Sequence, residues 1–145
     1  MLKDKNFLNI AYEIATWSKC ISIHVWAIIV KDNRILSTGY NWTPSWYLNC
    51  CDYMKNRERD SHHDWSLKHE IHAEMNALLW AARNWVKIEW ATIYCTHQPC
   101  YECSKNIISS GIKKIVYKEK FKHNSWNESE IFIKDNLCEI EQIKD

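Results

Sequence analysis

Apolar positions recur every three or four residues over 6–18, with Phe7, Ile10, Ala11, Ile14 and Trp17 on one side, and this spacing predicts a helix. The continuous apolar stretch 21–30 reads as a buried strand. Lys31-Asp32-Asn33-Arg34 then supplies a turn into a second strand over 35–40. From 41 to 68 the periodicity stops. A long polar and aromatic loop is expected there, of a kind that in compact domains more often serves function than mere connection. Helical spacing returns over about 72–84, a strand follows at 91–96, and Pro99 opens a further helix to about Ser110, where Gly111 fits a stop. A strand over 113–118 and a helix over 127–136 complete the pattern. Helices and strands alternate without internal repeats or low-complexity linkers. The fold class is therefore α/β, and a first hairpin with later crossovers implies a mixed sheet. At 145 residues the chain is expected to form one domain, 1–145, large enough to bury a core.

Composition narrows the partners. Lysine and arginine total 19 against 18 acidic residues, a net charge of +1, which argues against an extended nucleic-acid surface but leaves room for a local phosphate pocket. No apolar run reaches the length of a membrane-spanning helix, and Lys3-Asp4-Lys5-Asn6 precedes no secretion-signal core. The 7 cysteines are accordingly expected to be reduced thiols or metal ligands in a cytoplasmic protein.

Four of the chain's residues carry a specific chemistry. His72-Ala73-Glu74 is followed, after 24 residues, by Pro99-Cys100-Tyr101-Glu102-Cys103. This is the H-x-E…P-C-x-x-C signature general to zinc deaminases of nucleobases. One imidazole and two thiolates give zinc three protein ligands and leave a fourth tetrahedral position for water. Glu74 need not bind the metal and can move protons for that water. Proline suits the start of a helix, and cysteines three apart share the face of its first turn. The positive end of the helix favours the thiolates. His72 and Glu74 would diverge in mid-helix but can border one pocket at an opening turn, so two helix N-termini are expected to meet over the metal. Each residue also has an ordinary reading, as a surface histidine, buried thiols and a helix-terminal carboxylate; the joint pattern outweighs them.

The flanking segments sharpen this. Thr38-Gly39-Tyr40-Asn41, Asn49-Cys50-Cys51-Asp52, the histidine-rich stretch before Trp65-Ser66, and Glu70-Ile71-His72-Ala73-Glu74-Met75-Asn76-Ala77 resemble deoxycytidylate deaminases, above all those of the phage type, through about residue 124. The resemblance implies a cytidine-deaminase-like three-layer α/β/α fold with a central mixed five-stranded sheet. It implies hydrolysis of dCMP to dUMP and ammonia, a thymidylate precursor, by a homo-oligomer (commonly a hexamer) in the host cytoplasm if phage-encoded. It also implies regulation by dCTP and dTTP, with Mg2+ accompanying a nucleotide effector. Asn41 matches a sugar contact, Phe121 an aromatic against the base, and His24 a position near the phosphate. Trp80 and Arg83 match the effector end of the helix; Arg83, 11 residues beyond His72, lies about 16 Å along its axis. Cys20, Cys50, His62 and Glu70 correspond to a structural zinc site, with His63, Cys51 and His69 as nearby competitors. The other readings are a deaminase of bases in tRNA or single-stranded DNA, disfavoured by the neutral charge, and a catalytically impaired zinc-binding protein.

One departure favours the last of these. The chain has 2 glycines and 9 tryptophans, where ordinary usage of about 7% would give roughly ten glycines. Trp26, Trp42, Trp46, Trp85 and Trp90 stand where the resemblance places glycine. Glycine at such positions supplies positive φ or close backbone approach, which a bulky residue meets only at steric cost. Five such residues are expected to burden folding, with Trp42 and Trp46 nearest the substrate loop.

Overall fold

The computed structural model describes residues 2–18, 20–54, 59–120 and 125–144. Helix α1 (Leu2–Ala15) leads into the hairpin β1 (Trp26–Lys31) and β2 (Arg34–Tyr40), turned at Asp32 and Asn33, both at positive φ. Two short helices follow, α2 (Cys50–Tyr53) and α3 (Arg59–His69). Then come α4 (Ala73–Arg83), β3 (Thr92–His97), α5 (Tyr101–Ser109), β4 (Lys114–Glu119), α6 (Ser125–Asp135) and β5 (Glu139–Gln142).

The strands form one mixed sheet in the order β2-β1-β3-β4-β5. β1 pairs antiparallel with β2 and β3, while β3–β4 and β4–β5 are parallel. Alternation along β1 distributes side chains to two cores. Ile28 and Val30 pack with Leu8, Ala11 and Ala15 of α1. Ala27 and Ile29 face the opposite layer, with Ala73 and Ala77 of α4, Ile107 of α5 and Ile133 of α6. The three-layer α/β/α arrangement expected from the resemblance is thus realised.

Four points differ from the sequence reading. The first helix spans Leu2–Ala15 instead of 6–18, so Trp17, read on its apolar side, lies beyond the helix and is exposed. Residues 21–25 lie outside the strand, because the segment from Cys20 serves a side-chain cluster rather than the sheet. The stretch 41–68 contains α2 and most of α3; α3 is too polar to show helical periodicity. β5 was missed as an element, being only 4 residues with one apolar side chain. Among the described residues no helix is long and apolar enough to cross a membrane.

Candidate active site and metal centres

Two helix N-termini converge on the C-terminal side of β3. His72 is the N-cap of α4 and Cys100 the N-cap of α5, both with extended backbone, so each side chain stands off its helix end. Pro99 precedes that cap instead of opening the helix itself, and the Cys100 sulfur accepts the Cys103 N–H at 3.4 Å. Ser104 donates to Cys100 O at 2.8 Å and Ser129 of α6 donates to Pro99 O at 3.0 Å, fixing the turn that presents the thiols. On the other side, Trp42 and Ile71 exchange backbone hydrogen bonds, and Asn76 donates to Tyr40 O at 2.7 Å. The start of α4 is thereby tied to the end of β2.

The result is a compact donor set. Nδ1 of His72 lies 3.5 Å from Cys100 Sγ and 3.4 Å from Cys103 Sγ. Tetrahedral zinc with ordinary Zn–S and Zn–N bonds would separate an imidazole nitrogen and a sulfur by about 3.6 Å, so both imidazole–sulfur separations match the metal, and all three ligand atoms lie within 4.8 Å of one another. Glu74, on the first turn of α4, is buried and lines the adjoining cavity. Burial pushes its carboxyl up to about 7, against the pull of a charged His72. The Cys103 thiol donates to Cys100 and, with the nearby imidazolium, holds the Cys100 thiol down at about 4. The same pairing raises His72 to about 9, and Cys103, as the donor in a buried place, is held well above an ordinary thiol.

A second donor set lies on the same cavity. Cys20, Cys50, His62 and Glu70 bring one ligand atom each within 4.8 Å of one another. Cys20 Sγ is 3.5 Å from His62 Nε2, which is 3.9 Å from Glu70 Oε1. All four are well shielded, and burial pushes the Cys50 thiol up to about 12, as expected where a cation is needed to stabilise thiolate. The competitors have other roles: Cys51 is exposed, while His69 stacks between Tyr47 and Trp65.

The cavity between these sets measures about 610 Å³, within the usual range for a small-molecule site. Asn41 reaches it, but its side chain is largely engaged: Oδ1 accepts from Ser18 Oγ and Val25 N, and Nδ2 donates to Ile23 O. His24 stands outside the lining, exposed, with Nε2 2.9 Å from Cys20 O. Trp80 and Arg83 are exposed at the opposite end of α4 from His72. The expected base contact Phe121 lies outside the described residues. Ser22 and Asp64, which the sequence reading did not single out, also line the cavity, as do His63, read there only as a competing zinc ligand, and Ser66. His63, Asp64 and Ser66 sit on α3, whose helical form left no periodic signal.

A mixed sheet covered on both faces, with an imidazole, two sulfurs and a buried carboxylate at two helix ends, defines a metal-dependent hydrolytic class. Residues 1–119 match the family model described as the cytidine and deoxycytidylate deaminase zinc-binding region, and the chain belongs to that family. It is 40% identical to the deoxycytidylate deaminase of Enterobacteria phage T4, over 85% of this chain and 81% of that protein. It is 34% identical to ComE operon protein 2 of Bacillus subtilis, over 95% and 69% of the two. Among solved structures, the dCMP deaminase of cyanophage S-TIM5 in complex with dCMP and dUMP superposes with a TM-score of 0.79 at 29% identity, over 96% and 95% of the two chains.

Proposed function

We propose that the chain hydrolyses dCMP to dUMP and ammonia. The observation that carries this reading is the buried Glu74 carboxyl on a cavity of nucleotide size, beside three ligand atoms spaced for zinc. The phage relatives named for this reaction, and the similar structure holding dCMP and dUMP, support the choice of substrate. His72, Cys100 and Cys103 hold the catalytic zinc. Bound there, the metal supplies a Lewis acid that lowers the pKa of water from about 15.7 toward about 7.

The protein's own residues do the rest. Glu74, buried beside the three ligands and free of the metal, takes a proton from the attacking water and returns it to the ring nitrogen. The C4–N4 bond then breaks, and Glu74 shuttles a second proton to the departing ammonia. By the resemblance Asn41 serves the sugar subsite and Phe121 the base, while His24, outside the cavity lining, would reach the phosphate only by leaving its Cys20 O contact. Cys20, Cys50, His62 and Glu70 hold a second, structural zinc, in keeping with their clustering. The dUMP formed feeds thymidylate synthesis. dCTP and dTTP, with Mg2+, regulate a hexameric assembly through the end of α4 that carries Trp80 and Arg83.

The test is ammonia release on dCMP, dCTP, deoxycytidine and a tRNA anticodon stem, each with and without dCTP as effector. Glu74→Gln is expected to keep its zinc and lose turnover by about 10²–10⁴-fold. Ordinary turnover in that variant, or preference for the RNA, would overturn the reading.

A further inference from the structure

Three glycine-type turns of this chain are occupied by tryptophan. Tyr47 N donates to Pro44 O at 3.1 Å, closing a turn whose third residue, Trp46, has φ +73°. Ala91 N donates to Ile88 O at 3.0 Å, closing another whose third residue, Trp90, has φ +67°. Positive φ at that position calls for glycine or asparagine. The third is the end of α4. There Val86 N donates to Ala81 O and Trp85 N to Ala82 O, the paired closure of a helix whose next residue is left-handed, and Trp85 occupies that position at φ +57°. Glycine is strongly enriched there because it alone has no Cβ to clash.

The side chains offer little in return. Trp46 is 104% exposed, Trp85 94% and Trp90 65%, the last with only a Lys113 ammonium over its ring. Trp26 differs: it is buried and stacks on Tyr40, yet its indole Nε1 has no hydrogen-bond partner. Trp65 shows what a well-placed tryptophan looks like here, buried in helical backbone and packed against Tyr53 and His69. Independent substitutions would scatter over many residue types. Leu137, at the end of α6 with φ +56° and the same paired closure, is the one other bulky residue on such backbone among the described residues; three tryptophans beside it, in a chain with 2 glycines and 9 tryptophans, point to a single codon with a single meaning.

We infer that Trp46, Trp85 and Trp90, and with them Trp26, are glycine in the protein as its own host makes it. The codon is UGA, which some genetic codes read as tryptophan and others as glycine. The working enzyme then turns its cavity-side loop between Asn41 and Cys50 on glycine, and begins β1 without a buried indole. The gene is expected to carry UGA at 26, 46, 85 and 90 and UGG at 65; UGG at 46, 85 and 90 overturns the inference. Peptide mass mapping of the protein from its native host should show glycine at those four positions and tryptophan at 65, and tryptophan retained at the three turns overturns it equally. Independently of the gene, the triple variant W46G/W85G/W90G is expected to melt at least about 5 °C above the tryptophan chain. An unchanged or lower Tm removes the structural premise.

Discussion

Cys100 combines two tasks in one side chain. As the N-cap of α5 it accepts the Cys103 N–H, and as a metal-ligand candidate it must be ionised; the first eases the second. Without metal the structure answers with a thiolate–imidazolium pair, Cys100 down at about 4 and His72 up at about 9. In metal-stripped protein, alkylation of Cys100 followed by peptide mapping should therefore stay fast well below the ordinary thiol range. The rate should fall only as pH drops through about 4, where the thiolate is protonated. A midpoint near that of a free thiol would contradict the pairing. The sign for zinc follows: His72 and the Cys103 thiol must both shed a proton before the set can bind, so affinity here rises with pH through about 9 and, on account of Cys103, keeps rising beyond it. These ligands were legible in sequence because zinc chemistry restricts residue type and spacing together. The engagement of Asn41 with Ser18, Ile23 and Val25 was not, since an asparagine after a strand serves a sugar and a backbone equally well.

At the scale of elements, the site depends on how closely α4 lies on β2. A Cβ built on Gly39 would overlap Ala73 O and Ala77 N, the backbone of the turns that carry His72 and Glu74. Ser37, on the same strand, donates to Ala77 O at 2.6 Å and locks the approach. Gly39→Ala is thus expected to push α4 away and destabilise the fold by about 1–3 kcal/mol or more, measured by urea unfolding. Zinc content and turnover should fall together, because the donor atoms move with the helix. A stability change below about 0.5 kcal/mol would mean that the contact relaxes freely. The elements that build the core were readable because burial leaves a pattern: a helical period in α1, α4, α5 and α6, and short apolar runs in the strands β1, β3 and β4, which the sheet buries on both faces. α3 was not, because its polar sequence is held by Trp65 packing and the His62 cluster instead of a core-facing stripe. Residues 21–25 misled for the converse reason: Ile21, Ile23 and Val25 mimic a strand while lining a cavity and packing beside Cys20 and Cys50.

Taken as a whole molecule, the chain closes its catalytic cavity with segments distant in sequence. Cys20 follows α1, Cys50 opens α2, His62 lies in α3 and Glu70 precedes α4, and all four meet at one point. Among the described residues the apolar packing around that point is a small cluster of Cys20, Cys50 and Trp65 with Ile21 and Met54, with Tyr53 and His69 against Trp65. A zinc ion at this set would therefore do what a hydrophobic core does elsewhere, and three of its ligands, Cys20, His62 and Glu70, also line the cavity beside Glu74. Replacing Cys50, which lies outside that lining, separates the metal's role from direct contact with substrate. Cys50→Ser is expected to lower zinc from two per chain to one by elemental analysis. Deuterium exchange should rise across 18–25 and 41–69, while β3 and β4, buried in the sheet, keep their protection. KM for dCMP should increase more than kcat falls, because the wall loosens while His72, Glu74, Cys100 and Cys103 remain anchored to α4 and α5 by their own hydrogen bonds. One zinc per chain in the unmodified protein, or exchange unchanged in the variant, would show that this wall stands without a metal.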